Sequence, residues 1–410
     1  MQAQTEHMNL SRSQSKTNLC KRLLFGLLSK LQHGHLIITD AEQKHCFGDS
    51  THQLKAEIVV HDQAFYRRAL LQGTVGAGES YMEGQWDSPS LTPLVQLLVR
   101  NMPLLDRIDH LISAPTQMAR RLKNLLKINT KRGSKKNISA HYDLGNDFYS
   151  LFLDPTMAYS CAVFQQGDTL QQAQLRKFDA ICQKLELKEG EHLVEIGTGW
   201  GGLALHAATH YGVEVTTTTI SERQYDYAKQ QIESLGMSDK INLLKSDYRD
   251  LEGQYDKLVS VEMLEAVGYR YLDTYMRKCE SLLKPGGKML LQSITISDQR
   301  FDRYRKQVDF IQRYVFPGGF LPSVNALSNC LARKTQLQIA GLDDIGLHYA
   351  TTLAEWSKRL ENARGALTEL GKDESFYRLW QFYFHYCRGG FLERSISTVH
   401  LTADKPRHGH

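Results

Sequence analysis

The sequence predicts an α/β protein: a doubly wound, parallel sheet over most of the chain, preceded by a smaller α+β domain. Three observations carry this prediction. From residue 141 onward, short apolar runs alternate with helical patterns. One run passes straight into a glycine cluster, "VEIGTGWGGL" at 194–203. The first hundred or so residues hold strand and helix signals of their own, cut off from the rest by a basic stretch.

Taken in order, residues 1–18 are polar and expected to be disordered. They lack the pattern of a secretory signal, and the following "LLFGLLSKL" is short and broken by charge. The small α+β domain covers 19–103, with "GHLIITD" and "AEIVVHD" as strands and "FYRRALLQG" and "SLTPLVQLLVRN" as helices. Between these helices, "GTVGAGESYMEGQWDS" reads as a glycine-rich connection with aromatic anchors. Residues 104–137 form a basic amphipathic linker: His110 to Tyr142 contains no acid, while Arg120, Arg121, Lys131, Arg132, Lys135 and Lys136 lie within it. A solvated linker, a contact with an anionic membrane surface and a nucleic-acid contact all remain open for this stretch.

In the main domain, 138–402, "EHLVEI", "VEVTTTTI", "INLLKSD", "YDKLVSVEM" and "KMLLQSITI" read as strands. The intervening helices include "SERQYDYAKQQIESLG", which opens on a serine cap, and "YRYLDTYMRKCESLLKPGG", which stops at Pro-Gly-Gly. The aromatic and arginine-rich run "SDQRFDRYRKQVDFIQRYVFPGGFLPS" reads as an inserted cover, and 403–410 as a disordered tail.

The chain of 410 residues, 41% hydrophobic and 23% charged, is long enough for two domains and a large core. No apolar run is long enough to span a membrane. The seven cysteines are scattered, without a C-x-x-C pair, and the sixteen histidines make no H-E-x-x-H pattern, so reduced thiols in the cytoplasm and no metal site are expected.

The glycine cluster carries the chemistry. A strand, a bare turn and a helix start let a ligand approach the main chain and meet free N–H groups. Gly197, Gly199 and Gly202 also fit the dinucleotide spacing, so spacing cannot exclude NAD. Glu195, at the strand end, argues for a ligand with a positive group and no phosphate, as in S-adenosylmethionine.

Four stretches, "HYDLGNDFYSLFLDPTMAYSCAVF", "VEIGTGWGG", "FIQRYVFPGGFLPS" and "HYATTLAEWSKRL", together resemble cyclopropane-fatty-acyl-phospholipid synthases over nearly the whole chain. The resemblance implies a doubly wound Rossmann-like methyltransferase domain with a smaller N-terminal α+β domain. It also implies S-adenosylmethionine as methyl donor, and as substrate the cis double bond of an unsaturated phospholipid acyl chain, reached from the inner face of the membrane. A homodimer is compatible with it.

By the same resemblance, Tyr159 and Ser160 fall at the methionine end of the cofactor, the three glycines beneath it, Thr219 and Gln224 at the ribose and adenosine, and Asp247 and Tyr248 at the adenine edge. Bicarbonate is implied as catalytic base, held by Cys161, Glu265, Gln292, Tyr349 and the backbone of Ile294. Two departures stand out: Ala266 and Gln292 replace histidines of the well-known synthases, and a glutamine donates a hydrogen bond but carries no charge. The carbocation formed on the acyl chain needs a dry pocket, for which Tyr304, Tyr314, Phe316, Phe320 and Tyr349 are candidate walls. Loss of a proton from the transferred methyl closes a cyclopropane, the product expected here. A misplaced base gives a methyl-branched or methylene chain instead. A nucleic-acid methyltransferase and a non-catalytic lipid carrier are the other classes considered; the first lacks an N-P-P-Y-like signature, and the second is opposed by the intact glycine loop and Glu265.

Overall fold

The computed structural model describes residues 17–41, 43–106 and 144–408. The basic run and the extreme ends lie outside the described residues. The chain divides into two compact units, neither continuous in sequence: Gln307–Tyr314 and Leu367–Glu393 belong with the N-terminal unit. This differs from the single boundary expected near residue 138. The reason lies in side chains that only an apolar partner could cover, chiefly Phe310 and the aromatic face of the helix Glu374–Leu392.

The smaller unit holds a four-stranded sheet in the order β2-β1-β3-β4, with β1 His35–Asp40, β2 Gln43–Gly48, β3 Lys55–Val60 and β4 Trp86–Asp87. Leu36 and Ile38 of β1 and Ala56, Ile58 and Val60 of β3 alternate inward, as a half-buried sheet requires. The expected glycine-rich connection is helix: α1 runs Ala64–Met82, interrupted only at Gly73 with φ 57°. Its other glycines serve close packing. A Cβ on Gly78 would lie 2.3 Å from the Phe310 ring, and one on Gly76 2.3 Å from the Arg68 carbonyl. Helix α2 (Leu91–Arg100) packs on Glu374–Leu392 closely enough that a Cβ on Gly389 would come within 2.5 Å of Val95.

The larger unit is built on a seven-stranded sheet. Its strands are β5 His192–Ile196, β6 Glu214–Thr218, β7 Ile241–Leu244, β8 Tyr255–Val261, β9 Leu283–Ile296, β10 Gln338–Asp344 and β11 Ile396–Asp404, in the order β10-β11-β9-β8-β5-β6-β7. All neighbours from β7 to β9 are parallel, and β11 is antiparallel to both β9 and β10. Leu193, Val194, Ile196, Leu258, Val259, Met289, Leu290 and Leu291 are buried, as expected of strands covered on both faces.

Helices α3 (Leu170–Lys184), α4 (Gly202–Tyr211), α5 (Glu222–Ser234), α6 (Leu272–Leu282), α7 (Val324–Lys334) and α8 (Gly346–Asn362) connect the strands. Thr169 and Gln172 form a reciprocal cap at the start of α3, and Ser221 caps α5 as its sequence predicts. Three further expectations are corrected. Pro285, Gly286 and Gly287 lie inside β9, where a register shift absorbs them. The tail is ordered at its start: Ala403 and Asp404 belong to β11, and the Lys405 ammonium donates to the carbonyls of Glu280 and Leu283. At the other end, residues 17 and 18 already lie in a helix that continues to 28. Strand order reverses between β5 and β8, and their carboxyl ends mark where a doubly wound sheet places its ligand.

Candidate active site

The loop after β5 is tied to β6: the N–H groups of Gly197 and Thr198 both donate to the Thr218 carbonyl, at 3.1 and 3.0 Å. Gly197 has φ 101° and Gly199 φ 54°. A Cβ on Gly199 would meet no atom within 4 Å, so the loop faces open space there. At Gly202, where α4 begins, a Cβ would lie 2.8 Å from the Thr156 carbonyl. Glu195 is placed differently from its expected role. It is buried and accepts from the Thr217 hydroxyl at 2.6 Å, and burial pushes its carboxyl up to about 8. At neutral pH it therefore holds its proton beneath the loop, where the sequence reading expects a fixed negative charge.

At the end of β6, Thr219 donates to the Gln224 side-chain oxygen at 3.0 Å and accepts from the Ser221 N–H, so the two predicted cofactor residues form one buried pair. Asp247 is already engaged: Arg249 donates to both of its oxygens at 2.7 Å. Tyr248 packs edge-on against Tyr275, with ring centroids 5.2 Å apart, and its buried hydroxyl has no hydrogen-bond partner. Tyr159 sits among the rings of Tyr149, Trp356 and Phe316, and the Ser160 hydroxyl accepts from the buried Lys177 ammonium at 2.8 Å.

The second cluster centres on a residue the sequence reading did not single out. Glu262 follows β8 directly, with φ 49°, a left-handed conformation uncommon outside glycine. Its Oε1 accepts from the Cys161 N–H at 2.9 Å and the Gln292 amide at 2.8 Å, and its Oε2 accepts from the Tyr349 hydroxyl at 2.7 Å. Three of the expected site residues, drawn from a loop, from β9 and from α8, thus meet on one carboxylate. Burial raises its pKa, while these three donors and the charge of Lys177 oppose the rise.

Behind Gln292 stands a relay. Lys184 donates to His400 Nδ1 at 2.9 Å, which leaves Nε2–H to donate to the Gln292 oxygen at 2.9 Å. The Gln292 amide is thereby turned toward Glu262. Burial, with Lys184 nearby, pushes His400 down to about 3, so it stays neutral.

Glu265, three residues further on, accepts from the Ile294 N–H at 2.5 Å and the Ser293 hydroxyl at 2.9 Å, both on Oε1. Its Oε2 is buried without a partner. Burial first, and the charge of Glu262 second, push this carboxyl up to about 8. Cys161 is fully buried, and its thiol is pushed well above the usual range by burial. It contributes its backbone N–H to the site, not a thiolate.

Of the candidate walls, Phe316 stacks near Tyr159, the Phe320 N–H donates to the Glu265 carbonyl, and Tyr349 touches Glu262. Tyr314 belongs to the smaller unit, where its hydroxyl donates to Glu79 at 2.5 Å. Glu262 was missed because its partners come from positions 161, 292 and 349. The one local signal was a second acid beside Glu265 at a strand's carboxyl end.

Residues 129–401 match the family Mycolic acid cyclopropane synthetase. Among curated relatives, the tuberculostearic acid methyltransferase UfaA1 of Mycobacterium tuberculosis is 37% identical over 83% of this chain and 81% of its own length. The cyclopropane-fatty-acyl-phospholipid synthase of Escherichia coli K12 is 36% identical over 83% and 86%. Among solved structures, mycolic acid cyclopropane synthase CmaA1 complexed with SAH and CTAB superposes with a TM-score of 0.62 at 31% identity, covering 66% of this chain and 98% of that one. The chain therefore belongs to the mycolic acid cyclopropane synthetase family and carries its Rossmann-like methyltransferase fold.

Proposed function

We propose that the protein methylates the cis double bond of an unsaturated phospholipid acyl chain and closes the product to a cyclopropane. The observation that carries this reading is the convergence of Cys161, Gln292 and Tyr349 on the Glu262 carboxylate, with Glu265 alongside, at the switch point of the sheet and next to an open glycine loop. The cofactor residues fit S-adenosylmethionine: the loop is bare at Gly199, the Thr219–Gln224 pair offers polar groups, and the Tyr248 hydroxyl is buried without a partner. Bound there, the cofactor supplies an electrophilic methyl group.

The chain's own residues do the rest. The aromatic shell of Tyr159, Phe316, Tyr349 and Trp356 excludes water, and each ring face near the acyl cation contributes about 0.5–2 kcal/mol. A carboxylate then takes the proton whose loss ends the reaction. Bicarbonate, which the resemblance implies as that base, does not fit. The Cys161, Gln292 and Tyr349 donors are committed to Glu262, and the Ile294 N–H to Glu265. An added anion would meet two carboxyl groups in place of free donors, so no step is routed through it.

Expression in a host that does not modify its lipids, followed by gas chromatography–mass spectrometry of the acyl methyl esters, tests the function. Cyclopropane chains that resist mild hydrogenation are expected. The second reading, a methyl-branched or methylene product, is favoured by the neutral Gln292 and by the name of the 37% identical relative. Finding those chains alone would replace the ring assignment. Unmodified lipids alongside methylated RNA would reject the lipid substrate.

Among the described residues no helix is long and apolar enough to cross a membrane. We place the enzyme on the inner face of the membrane, held by the basic run at 104–137, which from residue 107 onward lies outside the described residues. Replacing Arg120, Arg121, Lys131, Arg132, Lys135 and Lys136 by glutamine is expected to weaken binding to anionic vesicles by about 1 kcal/mol per charge near the surface. Unchanged co-sedimentation would reduce the run to a linker.

A further inference from the structure

We propose that Glu262 is the base of the reaction, built into the chain where the resemblance puts bicarbonate, and that turnover is therefore independent of bicarbonate. The inference rests on the proposed function for the identity of the substrate, but the position of the carboxylate stands on geometry alone. Its donors are the residues the resemblance assigns to a bound anion: the Cys161 N–H, the Gln292 amide and the Tyr349 hydroxyl.

A carboxylate has about four acceptor positions. Oε1 uses two, for Cys161 and Gln292, whereas Oε2 accepts only the Tyr349 hydroxyl among the bonds described and keeps a lone pair for a proton. Glu262 also retains some accessible surface, while Cys161, Gln292 and Tyr349 around it are buried. The backbone turns left-handed at this one residue to deliver the carboxylate, a conformation costing of order 1 kcal/mol and typical of functional positions. The relay from Lys184 through His400 fixes the Gln292 amide with its donors forward.

The step balances within the site. A C–H bond of the transferred carbon breaks, and its electron pair forms the last C–C bond of the ring. The proton goes to Glu262 Oε2, and the resulting carboxylic acid returns it to water when the product leaves. No oxidant or reductant is needed.

The test uses the full-length enzyme with unsaturated phospholipid vesicles in buffer stripped of carbon dioxide, reading release of S-adenosylhomocysteine and lipid product, alongside binding of carbon-13 bicarbonate by NMR. The wild type is expected to turn over equally with and without added bicarbonate and to bind none. Glu262→Gly, which suits the left-handed backbone, is expected to lose about 100-fold or more in rate and to regain about 10-fold with tens of millimolar bicarbonate, which it now binds. Glu262→Gln, which keeps the volume, is expected to be as slow and to show no rescue. Melting curves and cofactor affinity check that both variants are folded.

A wild type that binds bicarbonate, or whose turnover collapses without it, overturns the inference and leaves the methyl transfer standing. So does a Glu262→Gly variant that keeps wild-type turnover, or one that is folded yet neither binds bicarbonate nor is rescued by it. A wild type inactive on every unsaturated phospholipid overturns the proposed function. The binding arm would then still report whether Glu262 fills an anion position.

Discussion

Glu265→Gln is expected to lower turnover by about 100-fold while making the protein more stable above pH 8. Both effects follow from one carboxyl group. Its Oε1 is held by Ile294 and Ser293, and its Oε2 is buried with no donor, an acceptor left open toward positive charge. Charge developing on the acyl chain would draw this group into its ionised form and be stabilised by it. Glutamine keeps the shape and the bonds to Ile294 and Ser293 but cannot ionise.

The sign of the stability effect follows from its raised pKa. Between the ordinary value of 4.5 and about 8, the unfolded chain has lost this proton while the folded protein still holds it. Stability therefore falls as pH rises through that window and levels off above it. Glutamine removes this dependence, so the gain over wild type grows across the window and is largest above pH 8. Thermal melts at pH 5 and pH 8.5 with parallel rate measurements check both. Equal melting shifts at the two pH values would contradict the buried, proton-bearing Glu265.

Gly199→Asp is expected to abolish S-adenosylmethionine binding and leave the fold intact. With φ 54°, the position tolerates aspartate better than most residues, and its Cβ would meet no atom within 4 Å. The new carboxylate therefore projects into the open space beside the loop, where a ligand would lie. Gly202→Ala makes the contrast. Its Cβ would press on the Thr156 carbonyl at 2.8 Å and on the Phe178 ring, so lost stability is expected to dominate. Titration calorimetry and melting curves on both variants separate the two kinds of glycine. Unchanged affinity in Gly199→Asp would displace the cofactor from this loop.

The parts of the molecule legible in its sequence are those governed by local rules. β5 and the glycine loop, the Ser221 cap and the parallel strands through β9 show their period or their turn chemistry within a dozen residues. β10 was invisible because it is an almost fully exposed strand without alternation. β11 has the β-branched composition of a strand, but its partner β9 lies far back in the chain, Ile396 pairing with Ile296. The glycines of α1 looked like a loop because their cause, Phe310 packed against Gly78, is more than two hundred positions away. The same distance hid Glu262. Its neighbours in sequence explain nothing about it, whereas its partners at 161, 292 and 349 explain it fully. Asp247 shows the converse: a plausible ligand group by position, it is already bound to Arg249 two residues later.

The placement of β11 bears on how the chain is made. It follows both of its neighbours along the chain, yet it lies in the sheet between β9 and β10. Until Ile396–Asp404 has emerged from the ribosome, β9 keeps an open edge and β10 has no neighbour to pair with. His400, which orients Gln292, arrives on that same strand. The smaller unit likewise waits for Leu367–Glu393 before its core is complete. The smaller unit can therefore close once Glu393 has been made, whereas the larger unit still lacks β11, so the nascent chain needs protection from self-association at least until Asp404 has emerged.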